Sequence, residues 1–338
     1  MRRIRWGILS TAAIGRVVVE AARTAPRVEF VCVASRDADR ARSFAGELGI
    51  PDSFGSYEQL IARDDVDAVY VPLPVSMHTE WTIAALQAGK HVLCEKPFAV
   101  SAADAAACFD AAEVAGRTCF EAFMYRFHPQ TLLARRLVAD GAIGQVAIIH
   151  TALSVAVPPG DIRRSAALAG GALLDLGGYC VSGTRLYGGT AERVYAEQVP
   201  DTGADASGRP VDLRLAGTIR MTGNVLGHFD AGLDLPRRDQ LDIVGTDGVI
   251  SLADPWLCRP GYLELIDGAG ARRLPVDPQG QYGLTGEESD AYRIEFEAVS
   301  RTIAGEKDVD FGRTDAVSQA AALAAVRESA ESGTVVRV

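Results

Sequence analysis

Short apolar, β-branched runs alternate with helix-like stretches over the first third of the chain. Ile4–Leu9 leads through a glycine-bearing turn into Gly15–Arg23, and Val28–Ala34 leads into the charged, alanine-rich Asp37–Leu48. Asp67–Leu73 and His91–Cys94 have the character of buried strands, separated by the helical Glu80–Ala88. Ala102–Ala115 then has helical spacing and Thr118–Ala122 reads as a strand. Strand–helix–strand repetition with short connections predicts parallel strands joined by right-handed crossovers, hence a doubly wound sheet.

After about residue 125 the rhythm changes. A helix near His128–Asp140 precedes the long strand Val146–Val155, and a glycine-rich segment enters a helix near Gly171–Tyr187. From Arg193 onward the pattern is strand after strand: Leu213–Met221, Val225–Ala231, Gln240–Val244, Val249–Leu252 and Tyr262–Ile266. Consecutive strands separated only by Gly, Asp and Pro turns predict an open, mostly antiparallel sheet. Asp201–Pro210 is the best loop candidate, and helices near Glu287–Ala304 and Thr314–Ser332 close the chain. The fold class is therefore α/β, with an N-terminal Rossmann-type domain (1–124) and an α+β domain (125–338). The last helix, about 314–332, is a candidate to pack back on the first domain.

Composition narrows the functional classes. A chain of 338 residues exceeds what one compact core usually serves, in keeping with two domains. A net charge of −10 without Lys/Arg blocks argues against a nucleic-acid partner. Six scattered cysteines without a CxxC pair read as buried thiols of a reducing compartment. The five histidines form no metal-binding pattern, so no metal is expected. Arg2-Arg3-Ile4-Arg5 before an apolar stretch imitates an export signal. Arg16 and Glu20 interrupt that stretch, and no run is long enough to span a bilayer, so the expectation is a cytoplasmic protein without membrane contact.

The first strand-to-helix turn, Ser10-Thr11-Ala12-Ala13-Ile14-Gly15, sits where GxGxxG would let backbone approach a pyrophosphate. Only the third glycine, Gly15, is present, so alone the turn is a weak signal; small residues at the other two positions keep close approach feasible. At the tip of the second strand stand Ser35 and Arg36, with Asp37 one step later. An arginine there suits a ribose 2′-phosphate, whereas an acid at the tip would hold the 2′-hydroxyl. NADP is favoured and NAD remains open, since Asp37 is equally a helix N-cap or a ribose ligand.

Four further stretches carry a resemblance. They are Val71-Pro72-Leu73-Pro74-Val75-Ser76-Met77-His78, Ala88-Gly89-Lys90-His91-Val92-Leu93-Cys94-Glu95-Lys96-Pro97, Glu121–Gln130 and Gly170–Cys180. In order and content they resemble the glucose–fructose oxidoreductase/inositol dehydrogenase (Gfo/Idh/MocA) family over essentially the whole chain. The resemblance implies a nicotinamide-dependent oxidoreductase and frequent homodimers or homotetramers packed through the C-terminal sheet. It places Lys96 near the reacting carbon, opposite the pair Asp175 and Tyr179. Tyrosine at the second position is the pattern of the branch containing xylose dehydrogenase, dihydrodiol dehydrogenase and deoxysugar ketoreductases, mostly NADP enzymes. Pro72, Leu73, His78 and Glu95 then join Ser10–Ile14, Ser35, Arg36 and Lys96 as cofactor-binding candidates.

The chemistry follows from residue types. Hydride transfer at a C–O centre needs a proton donor or acceptor on that oxygen. Asp175 and Tyr179 are four apart and would share one helix face. Tyr179 is the candidate general acid/base, with Lys96 as the cation favouring its ionised form and Asp175 as the group orienting substrate or Lys96. Arg163, Tyr125, Arg126 and Tyr292 are candidate substrate contacts, although a structural role weighs more heavily for Arg126, His128 and Tyr292. The expected substrate is a pyranose, a keto-sugar or a cyclic polyol. Its rivals are reduction of a nucleotide-linked keto-deoxysugar, with Arg163 and Arg164 at a second diphosphate site; a non-catalytic dinucleotide-binding sensor; and an oxidoreductase that holds its cofactor permanently.

Overall fold

A computed structural model describes residues 2–203, 209–277, 290–306 and 309–338. In chain order the elements begin β1 (Ile4–Leu9), α1 (Ala13–Ala22), β2 (Val28–Ala34), α2 (Ala38–Leu48), β3 (Asp52–Phe54), α3 (Tyr57–Ile61), β4 (Ala68–Val71), α4 (His78–Gln87), β5 (His91–Glu95), α5 (Ala102–Ala115) and β6 (Cys119–Ala122). They continue with α6 (Pro129–Ala139), β7 (Val146–Ser154), a π-helical turn (Leu173–Gly177), α7 (Gly178–Gly188), β8 (Ala191–Pro200), β9 (Asp212–Met221), β10 (Leu226–Gly232), β11 (Arg238–Gly245), β12 (Gly248–Leu252), β13 (Tyr262–Asp267) and β14 (Gly270–Pro275). The chain closes with α8 (Ala291–Ile303), α9 (Arg313–Ser332) and β15 (Val336–Arg337).

The first sheet is parallel throughout, in the order β3-β2-β1-β4-β5-β6. Its inner strands are almost wholly apolar and buried, as a sheet covered on both faces requires. β3 and α3, absent from the sequence reading, extend the edge beside β2; three residues are too few to show an alternating pattern. The second sheet has nine strands in the order β14-β13-β12-β11-β7-β10-β9-β8-β15. Only β7 and β10 run parallel there. Its inner face, with Ile149, Phe229, Leu241 and Ile243, is buried, and α7 packs on β7 and β10.

Two compact units result, one of Met1–Met124 with Gly286–Val317 and one of Tyr125–Thr285 with Ser318–Val338. The chain therefore returns to its first unit, through α8 and the first residues of α9. The reason is the apolar face of α8: Phe296 meets Trp6 with ring centroids 4.9 Å apart and Tyr70 at 5.3 Å, and Trp6 Nε1 donates to Ser300 Oγ at 3.1 Å. α9 is shared, its residues from Ser318 onward belonging to the second unit. The expected loop Asp201–Pro210 and the start of the expected helix at Glu287 lie partly outside the described residues.

All six cysteines are buried thiols, and burial pushes Cys32 and Cys108 up to about 12. Among the described residues no helix is long and apolar enough to cross a membrane.

Candidate active site

The turn after β1 is held in an unusual backbone conformation by its own side-chain hydrogen bonds. Ser10, at the first glycine position of the fingerprint, has φ 140°, in the region that favours glycine. Its own hydroxyl compensates by donating to Pro72 O at 3.0 Å and accepting the Ala12 N–H at 3.2 Å. That bond ties the ends of β1 and β4, neighbours at the point where strand order reverses and where such sheets bind ligands. Thr11 and Ile14 are half-buried and Ala13 exposed along this turn. Gly15 lets α1 lie close to α2, since a Cβ there would lie 3.2 Å from Phe44.

The tip of β2 answers the question left open by Asp37. The Asp37 carboxylate accepts the N–H groups of Asp39 and Arg40 and caps α2, so it is turned to its own helix. The Ser35 hydroxyl accepts the Asp37 N–H at 3.2 Å. Arg36 is exposed and, with Arg40, acts electrostatically on the buried Tyr57 phenol. Burial raises the Tyr57 pKa and the two guanidinium groups oppose that rise. Two cations and a self-engaged carboxylate fit a 2′-phosphate better than a bare ribose.

The loop carrying Lys96 is held on three sides within the first unit. The Glu95 carboxylate accepts the Tyr70 hydroxyl at 2.5 Å and the Lys96 N–H at 3.2 Å. Pro97, joined to Lys96 by a cis peptide bond, has its carbonyl 2.9 Å from His78 Nδ1; His78 Nε2 lies 2.7 Å from Leu73 O. The Phe98 N–H donates to Glu121 Oε1 at 3.0 Å. His78, expected at the cofactor, is only 1% exposed and ties the Leu73 loop to the Pro97 loop. Burial holds its pKa below the usual histidine range, against the pull of the two carbonyls. Tyr292, another pocket candidate, lies on α8 in this first unit and acts electrostatically on Tyr70.

In the second unit, Asp175 and Tyr179 are not on one uninterrupted α-helix. The segment opens with Gly171 at φ 118°, passes through the π-helical turn that contains Asp175, and becomes α7 one residue before Tyr179. The wider π turn changes the rotation per residue, so simple i, i+4 spacing does not describe the pair. Arg163 hydrogen-bonds Asp161 through two nitrogens, each at 3.0 Å, and its Nη1 stands 3.9 Å from Asp175 Oδ2. Arg164 is held by Asp201 at 2.6 Å. The Tyr179 ring, 7% exposed, packs against Tyr125 at 6.1 Å and Trp256 at 5.6 Å. Arg126 is 2% exposed and donates to Ser182 Oγ, as Tyr125 Oη does or accepts at 2.5 Å. Both residues thus brace α7.

Three contributors escaped the sequence reading. Arg40 gives no signal beyond its place in the first turn of a helix. Tyr70 is a phenol inside the apolar run Asp67–Leu73, where burial demands a hydrogen-bond partner; that was a usable signal. Arg237, in a turn before β11, is clasped by Asp239 at 2.7 and 2.8 Å. Its pKa is raised chiefly by that bond and in small part by Tyr179, which makes it a cation acting on the phenol.

A parallel sheet in this strand order, with a glycine-like turn at its switch point, is the doubly wound architecture of the Rossmann class, in which dinucleotides bind at the switch point. The chain belongs to the Gfo/Idh/MocA family: the model of its oxidoreductase, NAD-binding Rossmann-fold domain matches residues 4–123, and that of its C-terminal domain matches residues 131–251. It is 39% identical over 336 residues to D-xylose 1-dehydrogenase (NADP(+)) 2 of Haloferax volcanii, covering 98% of this chain and 99% of the relative. It is 35% identical to a dTDP-3,4-didehydro-2,6-dideoxy-alpha-D-glucose 3-reductase of Streptomyces violaceoruber, covering 82% of each. Among solved structures, a 3-ketoreductase from Actinomadura kijaniata in complex with NADP and TDP-benzene superimposes with a TM-score of 0.85 at 28% identity, over 97% of this chain and 98% of that one.

Proposed function

We propose that this protein is an NADP-dependent dehydrogenase of a free sugar, an aldopyranose such as D-xylose being the first candidate. The observation that carries the reading is the near-complete overlap, at 39% identity, with an NADP-dependent D-xylose dehydrogenase. The β2 tip supports the cofactor: Arg36 and Arg40 are the residues to hold a 2′-phosphate, and Ser10–Ile14 with the start of α1 the residues to hold the pyrophosphate. When bound, the nicotinamide supplies the hydride acceptor or donor. Tyr179 takes the hydroxyl proton of the sugar as the carbonyl forms and returns it in the reverse direction. Lys96 is the cation at the reacting oxygen, and Asp175, next to Arg163, orients the substrate. Arg163 and Arg164 both already face carboxylates, which favours a free sugar over a diphosphate-linked one.

The test is initial-rate kinetics with NADP+ and NAD+ against D-xylose, other free aldoses, cyclic polyols and vicinal diols. Turnover with NADP+ preferred is expected, and Tyr179→Phe should lower kcat by about 100-fold or more, the usual scale for losing a general acid/base. Turnover confined to TDP-linked keto-sugars would overturn the free-sugar reading. NADPH binding without turnover on either class would point to a sensor.

The same reading includes assembly through the nine-stranded sheet. α7 covers one face at β7 and β10, while Ser329 of α9 bonds the backbone of β8. On the other face Tyr195, Thr218, His228, His150, Asp242 and Ser251 form one cross-strand row, with the two histidine rings stacked 5.3 Å apart. Tyr195 in that row is 40% exposed. A second copy of the sheet is the partner this face suits.

A further inference from the structure

We propose that Asp212 is a positioning residue for the reaction: by gripping the start of the π-helical turn it sets the direction in which Asp175 and Tyr179 are presented. This rests on the reading that those two side chains act on substrate. Asp212 opens β9 and lies far in sequence from the Gly170–Cys180 motif, so nothing in that motif points to it.

Three observations converge on the contact. The Leu173 N–H, the first donor of the π turn, donates to Asp212 Oδ2 at 2.5 Å. Gly171 is held at φ 118°, and a Cβ there would stand 2.1 Å from Asp212 Oδ1. The absence of a side chain at Gly171 is therefore what lets the carboxylate in. Gly171 is itself anchored, its N–H donating to Arg163 O at 2.8 Å and its carbonyl accepting the Asp175 N–H at 3.0 Å. One carboxylate thus closes a short circuit of backbone bonds running from Arg163 through Gly171 to Asp175. A turn entered at a different angle would redirect both Asp175 and the Arg163 guanidinium beside it.

Asp212 is a costly residue to place here for stability alone. Burial pushes its pKa up to about 6, against the Leu173 N–H and Arg327, while Glu331 adds to the rise. Arg327 and Glu331, both on α9, are the charged side chains acting on it, with opposite sign. A carboxyl whose folded pKa is raised stabilises the fold below its unfolded value near 4 and loses that contribution as pH rises through about 6. At neutral pH its charge works against the fold, and what it gains is a charge-assisted grip on Leu173.

The experiment compares wild type, Asp212→Asn and Asp175→Asn, with NADP+ and the best free sugar from the panel, D-xylose being the first used. Thermal midpoints are recorded alongside. Asp212→Asn should keep or raise the midpoint at pH 7 yet lower kcat about tenfold or more. The wild-type kcat should fall as pH drops through about 6, and this acid limb should be lost in Asp212→Asn. Hydrogen exchange over residues 171–179, corrected for intrinsic rate, should quicken below that pH in wild type only. This readout needs no substrate. Wild-type kcat and exchange in Asp212→Asn would overturn the inference, as would activity lost only in step with the thermal midpoint. An impaired Asp175→Asn beside a fully active Asp212→Asn would sink the inference alone; a fully active Asp175→Asn would sink the catalytic reading and the inference with it.

Discussion

Cofactor choice is decided at the scale of single side chains. Asp37 is one residue too late to lie at the strand tip, and its carboxylate is spent on the N–H groups of Asp39 and Arg40. Arg36, exposed beside the Tyr57 phenol, is the side chain proposed to meet the 2′-phosphate. A charge-assisted bond of this kind contributes about 1.5–3 kcal/mol, roughly 10–100-fold in affinity. Arg36→Ala should raise KM for NADP+ by about that factor and leave kinetics with NAD+ nearly unchanged. A variant that kept its NADP+ preference would place the 2′-phosphate elsewhere. At the same scale, His78 shows how burial changes a role: enclosed between two carbonyls, it joins two loops of the first unit and has little surface left to offer a ligand.

At the scale of elements, α7 carries the tyrosine because its other faces are closed by fitted contacts. Gly183 lies under Trp256 and Leu241, where a Cβ would stand 3.0 Å from Trp256 Cη2 and 2.9 Å from Leu241 Cδ1. Overpacking of that kind costs about 1–3 kcal/mol, against a helix-propensity gain of about 1 kcal/mol for alanine over glycine. Gly183→Ala should lower the thermal midpoint by a few degrees. It should also reduce kcat, because Trp256 packs on the Tyr179 ring. A stable, fully active variant would show that α7 has slack against the sheet. Further along the same helix, Arg185 donates to Gln319 Oε1 at 2.8 Å while Gln319 Nε2 donates to Gly178 O at 2.9 Å. α9 thereby also holds the start of α7.

At the scale of the molecule, the chain is used twice over: α8 returns to the parallel sheet while α9 from Ser318 onward stays with the nine-stranded one. The outer face of that larger sheet carries the row of side chains on which the proposed assembly rests. Light scattering coupled to size exclusion is expected to give a homodimer or homotetramer, and His228→Glu, in the centre of the exposed row, should shift it toward monomer. A wild-type monomer at micromolar concentration would remove the assembly reading.

Local pattern was enough for the elements whose identity rests on a single apolar face or run. β1, β2 and α5 lie where periodicity put them, and the change from alternating to consecutive strands near residue 125 marks the change of sheet. The family motifs likewise lay open in the sequence, because each is a short contiguous stretch. Contacts between distant residues were not legible. Asp212 against Gly171, Tyr70 on Glu95, Arg36 and Arg40 at Tyr57, and Arg237 near Tyr179 each join segments whose meeting depends on packing. The π turn escaped for a related reason: apolar spacing registers a helix, but the one-residue change in its winding is set by what grips its ends. Sequence alone determined which side chains this protein has for its chemistry. Only the tertiary structure decided which of them are tied to backbone and which stay exposed, because that depends on where burial leaves a polar atom a partner.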